Sequence, residues 1–299
     1  MANITTTEAG PAIPEFWLSE AIGHLKANLV MGRLVRRDGD DAVQEEGDTV
    51  NVTKRGSLTV RDKSEGSAVT ADNPSNSKIA VKLDQHKYVA WHLEDNAGSK
   101  AVDEALDYVQ DGMEQLAEAI ESDLTALYSD IGASVGSGGS GLSETTVLNA
   151  RKELNKQRAP MRNRALMVSP EAETDLLGID KFTEAQSVGD EGDVIREAQM
   201  GRLYGFNTFM SQLVQTTGSS PATHHNIAFH PRAFMLVTRP MELPSAGATG
   251  AVMVDDDINV ALRYTRQWDA DELKTKHVID VLYGVESVDE DRLAVEAKS

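Results

Sequence analysis

Gly136, Gly138 and Gly141 satisfy G-x-G-x-x-G, the spacing that lets a backbone close around a dinucleotide pyrophosphate. That chemistry needs the glycines after a strand and at the opening of a helix. Here they follow a long helical pattern inside a Gly/Ser tract, Gly132–Gly141, and read as a linker. Gly132-Ala133-Ser134-Val135-Gly136 satisfies G-x-S-x-G, but a nucleophile elbow also needs a strand before its serine. His224, His225 and His230 are the residue type of a metal site. Adjacent histidines do not share a face, though, and neither cysteine nor an H-E-x-x-H run accompanies them, so they read as loop histidines. Asp255-Asp256-Asp257 and Asp38-Gly39-Asp40-Asp41 lack the EF-hand register and its closing Glu, and read as solvated turns. Asn3-Ile4-Thr5 and Asn51-Val52-Thr53 are glycosylation sequons that matter only in a secreted chain. No catalytic constellation emerges, and the residues imply no metal and no cofactor.

What remains is charge, and it is segregated. The stretch Gly47–Leu93 carries Lys54, Arg55, Arg61, Lys63, Lys78, Lys82 and Lys87 against five acids, 7 − 5 = +2. Lys100–Asp130 carries nine acids, Asp103, Asp107, Asp111, Glu114 and Glu118 among them, against Lys100 alone, 1 − 9 = −8. Over 299 residues the net charge is −19, which argues against a grip on nucleic acid, since phosphate binding needs a concentrated basic face. Hydrophobic content of 40% supports a real core, and with no cysteine there are no disulfides. No apolar run approaches the ~18–20 residues that span a bilayer. Met1–Gly10 shows no secretory pattern, so the expectation is a soluble chain.

The elements that position these charges follow from periodicity. Pro14–Val35 has helical spacing through Phe16, Leu18, Ile22, Leu25 and Leu29. Gly47–Leu93 alternates as a two-stranded ribbon: Val50, Val52, Leu58 and Val60 outward, Ile79, Val81 and Leu83 back, the return strand continuing through Tyr88, Val89 and Trp91. Its tip, Ser64–Ser77, is rich in Gly, Ser, Asn and Pro and is expected to move. Ser99–Ile131, with Ser99 as N-cap, predicts one long helix with an unbroken apolar stripe from Val102 to Ile131. Beyond the linker, Ser143 predicts a helix through Lys156. Ala165–Val168 is a strand, and Ser169-Pro170-Glu171 opens another helix. His230-Pro231-Arg232 predicts a short helix through Val237. The final quarter reads as strands at Val260–Tyr264, Ile279–Val285 and Leu293–Val295, with loops at Asp180–Asp193 and Pro244–Gly250. An isolated two-stranded ribbon is unstable in water, so it must lie on another surface, and an acidic helix on a neighbouring copy fits.

Four stretches carry a resemblance. Ala165-Leu166-Met167-Val168-Ser169-Pro170-Glu171 is a strand entering a helix. Ile195 to Phe206 ends in Leu203-Tyr204-Gly205-Phe206. Ala228-Phe229-His230-Pro231-Arg232-Ala233-Phe234 is a strand-to-helix corner, and His277 to Val285 is a closing strand. In this order, from about Phe16 to Val295, they resemble the major capsid protein family of tailed bacteriophages, with its Hong Kong 97-type α+β fold.

The resemblance implies an N-terminal arm (1–46), an extended β-loop (47–98), a peripheral domain with a spine helix (99–142), an axial domain (143–256) and C-terminal strands of the peripheral domain (257–299). It implies a virion shell built in the host cytoplasm as hexamers and pentamers, enclosing DNA without gripping it. A portal protein and room for a decoration protein belong to that picture. Little precedes Phe16, so a separate scaffolding protein, or a segment already removed, is expected to guide assembly. The interface residues it suggests are Lys54, Arg55, Arg61, Lys63, Lys78 and Lys82 against Asp103, Asp107, Asp111, Glu114 and Glu118 of the next copy. Apolar burial of Val50, Val52, Leu58, Val60, Ile79, Val81 and Leu83 against neighbours is expected to supply most of the energy. An encapsulin-like compartment shell is the rival within this fold. From another class, a hydrolase or binding module on the α/β half would need a catalytic cluster.

Overall fold

The computed structural model describes residues 18–25, 29–37, 49–54, 56, 58–94, 102–179, 201–245, 249–255 and 260–299, with the side chains of 102–107 outside the description. Ser99, Arg55 and the expected loop Asp180–Asp193 lie outside the described residues.

Residues 18–25 are helical and bury Leu18, Ile22 and Leu25. A further single turn, α1 (Met31–Leu34), follows the break near Leu29. Strands β1 (Thr49–Lys54) and β2 (Ser77–Lys82) pair antiparallel, Val50 opposite Val81 and Val52 opposite Ile79, forming the root of the ribbon. The return strand does not continue as expected. It breaks at Leu83-Asp84, and β3 (Gln85–Glu94) joins a different sheet.

The long helix α2 (Val102–Ala126) ends in a 3-10 turn, Leu127–Asp130. Its expected stripe is buried at Val109, Met113, Leu116, Ile120 and Leu124, steps of three and four that keep one face on the core. The Gly/Ser run that follows is more than a linker. β4 (Ser134–Gly136) pairs parallel with the last strand of the chain, β14 (Ala294–Lys298). Gly136 has φ +85°, and a Cβ there would stand 2.3 Å from the Lys298 carbonyl oxygen, so only glycine lets the strands approach.

Then come α3 (Glu144–Lys156), β5 (Arg164–Val168) and α4 (Pro170–Leu177). Both helices start where the sequence places them. Ser143 accepts from the Thr146 amide, and Ser169 from the Ala172 amide with Pro170 in the first turn. β6 (Arg202–Leu203) and β7 (Phe206–Met210) are joined by Tyr204-Gly205, both with positive φ, the geometry of a tight hairpin turn. β8 (Thr216–Thr217), β9 (Thr223–Phe229) and β10 (Phe234–Arg239) follow. The helix expected from His230 to Val237 is instead a turn and then β10. Phe234 to Val237 are buried without a polar face, the pattern of a strand covered on both sides. β11 (Thr249–Asp255), β12 (Val260–Asp269), β13 (Lys274–Ser287) and a single turn, α5 (Glu290–Leu293), precede β14.

Among the described residues the strands form three sheets. The ribbon is one. The second runs β10-β13-β12-β11 with β3 on the other edge of β13, and the third runs β4-β14-β9-β5-β7-β6 with β8 on β9. Chain order and sheet membership cross: β10 and β11 share a sheet with the late strands, whereas β14 closes the sheet of β5 and β9. Among the described residues no helix is long and apolar enough to cross a membrane.

Candidate assembly surface

The ribbon has a root and a projecting end with opposite characters. At the root, Val50, Val52, Val81 and Leu83 are buried against Met235, Val237 and Val288 of the same chain, with Ile79 packed alongside. This corrects the expectation that all seven apolar ribbon residues wait for a neighbour. Their alternate spacing turns one face of the hairpin onto β10. Beyond Lys54 the limbs leave the body. Leu58 is 73% exposed, Val60 97% and Val69 81%. There the ladder gives way to side chains: Asp72 accepts from the Thr59 amide at 2.7 Å and pairs with Arg61 at 2.5 Å, and Asn76 accepts from the Gly56 amide.

The basic residues divide accordingly. Lys54 pairs with Asp289 of its own chain at 2.8 Å, and Lys63 closes the turn on the Ser64 and Ser67 carbonyls. Arg61 also donates to the Thr70 carbonyl, while Lys78 and Lys82 are exposed on β2. These bonds shape the finger as well as charge it.

On α2, Asp103 and Asp107 belong to the helix, with side chains outside the description. Asp111, Glu114 and Glu118 lie at i, i+3 and i+7 on one face, Glu114 half-buried and the others exposed. Glu114 and Glu118 line a groove of about 320 Å³ with Val30, Met210, Gln212 and Leu213. Two further acids of this helix, Asp123 and Glu121, are engaged internally. Asp123 accepts from the Tyr283 hydroxyl at 2.6 Å and lies 3.7 Å from Lys87. Burial and that hydrogen bond push the Tyr283 hydroxyl up. Glu121, one of the nine acids counted in Lys100–Asp130, is buried. Its carboxylate accepts from the amides of Val30, Met31 and Gly32 at 2.6, 2.9 and 2.9 Å, capping α1. Burial raises its pKa and the three donors oppose the rise. Its helical register beside Leu124 and Ala117 was the available signal, since it falls on the apolar stripe.

Two of the three histidines are not loop residues; His230 opens the turn between β9 and β10. His224 and His225 lie on β9. His225 is buried, bonded through Nδ1 to Glu296 and through Nε2 to Thr217 at 2.7 Å, and stacked on Tyr128. His230 is buried at the β9 end, and its pKa is lowered by burial, then by Arg232, Arg164 and Arg292. His277 accepts or donates at 2.7 Å to the Tyr264 hydroxyl and stacks on Trp91, and burial lowers its pKa to about 4. Among the described residues no group of three or more His, Asp and Glu is arranged to hold a metal.

No family model matches the chain, and no curated protein matches it in sequence. Solved structures do. A chain of Mycobacterium phage Che8 is 20% identical, with 90% of each chain covered and a TM-score of 0.66. The asymmetric unit of the bacteriophage PhiM1 mature capsid is 13% identical over 90% of this chain and 87% of that one, with a TM-score of 0.58. A virus-like particle from Pyrococcus furiosus is 12% identical over 94% and 97%, with a TM-score of 0.51. With phage capsids recurring along nearly the whole chain, the polypeptide has the α+β fold of the tailed-phage major capsid protein.

Proposed function

We propose that this chain is a major capsid protein, tiling as hexamers and pentamers into the icosahedral shell of a tailed phage. The observation that carries the reading is a finger rooted in its own subunit whose projecting end exposes Leu58, Val60 and Val69. Apolar side chains held out on an unladdered hairpin are stable only against another surface. The face of Asp111, Glu114 and Glu118 on the next copy complements Lys78 and Lys82, exposed at the base of a finger whose own projecting end is balanced in sequence, Arg55, Arg61 and Lys63 against Asp62, Glu65 and Asp72. Exposed pairs contribute only ~0–1 kcal/mol each, so charge sets register and encounter while apolar burial holds the contact. Each patch meets a different patch, so the interfaces are heterologous and close by symmetry. Many weak contacts then act together.

A net charge of −19 leaves the packaged DNA ungripped and free to leave. Within this reading a scaffolding protein guides assembly, a portal occupies one vertex, a decoration protein has room outside, and the role is structural and not catalytic. The recurrence of phage capsids at higher TM-scores than the Pyrococcus particle favours the phage shell over an encapsulin-like compartment. Deleting Ser64–Ser77 tests the reading. A folded chain that no longer assembles is expected, and normal shells from the deletion would refute the draped finger.

A further inference from the structure

Beside the ribbon root lies a second groove, of about 360 Å³, and it is basic in an acidic protein. Arg36, Lys54, Arg232 and Arg292 line it against one acid, Asp289, with Val52 and Val288 among its apolar lining. That single carboxylate is already committed. One oxygen meets Lys54 Nζ at 2.8 Å and the other Arg292 Nε at 2.9 Å. Arg232 is exposed, and among the described residues no acid pairs with it. The positive potential is felt behind the groove at His230, which burial and then the Arg232, Arg164 and Arg292 charges hold below the usual histidine range.

We propose that this notch is a binding site for side-chain carboxylates, with Arg232 as its free cation. A fork of guanidinium donors over an apolar lining suits a planar carboxylate. The notch is too small and too local to follow a nucleic-acid backbone. Two sources offer this chemistry. Six of the eleven residues from Asp38 to Asp48 are acidic, and that stretch joins Arg37 to Thr49, next in sequence to two segments that line the notch. The other source is the acidic surface of a second copy. The site is a property of one chain, so failure to form shells would leave it untouched.

The test is calorimetric titration of the unassembled full chain with a tetraglutamate peptide at low ionic strength. Four chains are compared: the natural chain, Arg232→Glu, a chain with Asp38, Asp40, Asp41, Glu45 and Glu46 changed to their amides, and that amide chain with Arg232→Glu. Peptide binding by the natural chain, weakened about tenfold or more by Arg232→Glu, marks a notch open to a second copy. Binding only by the amide chain, again lost with Arg232→Glu, marks one filled by its own segment. Arg232→Ala, an exposed truncation, should weaken the same binding, which guards against misfolding of the reversal variant. No binding in either background, binding indifferent to Arg232, or Arg232-dependent binding of a short DNA duplex in place of the peptide would overturn the proposal.

Discussion

Val81 is fully buried at the ribbon root, opposite Val50 in the ladder and packed with Met235 and Val237 of β10. Val81→Ala removes two methyl groups, about 1.6 kcal/mol of transfer free energy at ~0.8 kcal/mol each, and leaves a cavity besides. The expected cost is about 2 kcal/mol. The Lys54–Asp289 pair at the same root is half-exposed on the lysine side and contributes only ~0–1 kcal/mol, so the valines are the anchor. If the root opens as a local unit, 2 kcal/mol corresponds to roughly thirtyfold faster exchange of the β1 and β2 amides. Hydrogen exchange on the unassembled chain measures this directly. Val60→Ser, at a site 97% exposed, should change stability by no more than ~0.5 kcal/mol and leave those amides alone. Equal exchange in Val81→Ala and the natural chain, or acceleration by Val60→Ser of similar size, would refute the division into anchored root and free finger.

Three further outcomes are expected. Glu121→Ala leaves three amides, two of them buried and that of Val30 partly so, without an acceptor and should cost about 3 kcal/mol in thermal unfolding. Because burial raises the folded carboxyl above its unfolded value, the Glu121 contribution is complete below the ordinary carboxylate range. It declines as pH rises through the raised value, a slope that Glu121→Gln should remove. His277, lowered to about 4, binds its proton more weakly folded than unfolded. Its contribution is therefore present above pH ~6.5 and lost as pH falls toward 4; the imidazole resonances should titrate near 4, and titration at the ordinary histidine position would contradict the packing. Gly136→Ala should drive β4 off β14, visible as lost amide protection at Ser134–Gly136 with the rest of that sheet retained.

Legibility in the sequence followed the range of the interaction. The caps at Ser143 and Ser169 are signals within four residues, and both helices begin where their sequence places them. The apolar stripe of α2 is equally local. The break between β2 and β3 is different. Leu83-Asp84 holds neither Gly nor Pro, and what separates the strands is the partner each finds, β1 for one and β13 for the other. His230-Pro231-Arg232 imitates a helix start, and only burial of Phe234 to Val237 on both faces makes that run a strand. The Gly/Ser run looked like a linker because the reason for Gly136 is the Lys298 carbonyl at the far end of the chain. At the candidate surface the run of acids on α2 was legible. That Lys54 is held by Asp289, that Glu121 faces inward, and that four of the ribbon's apolar residues are covered at home all depend on long-range packing.

Electron microscopy of the purified chain, alone and co-expressed with a scaffolding protein, tests the central claim most directly. The expected images are closed shells in which the Leu58–Val69 end of each finger lies across the Asp111–Glu118 face of the adjacent subunit. Particles of single-subunit size at every concentration, with that finger touching no neighbour, would contradict it.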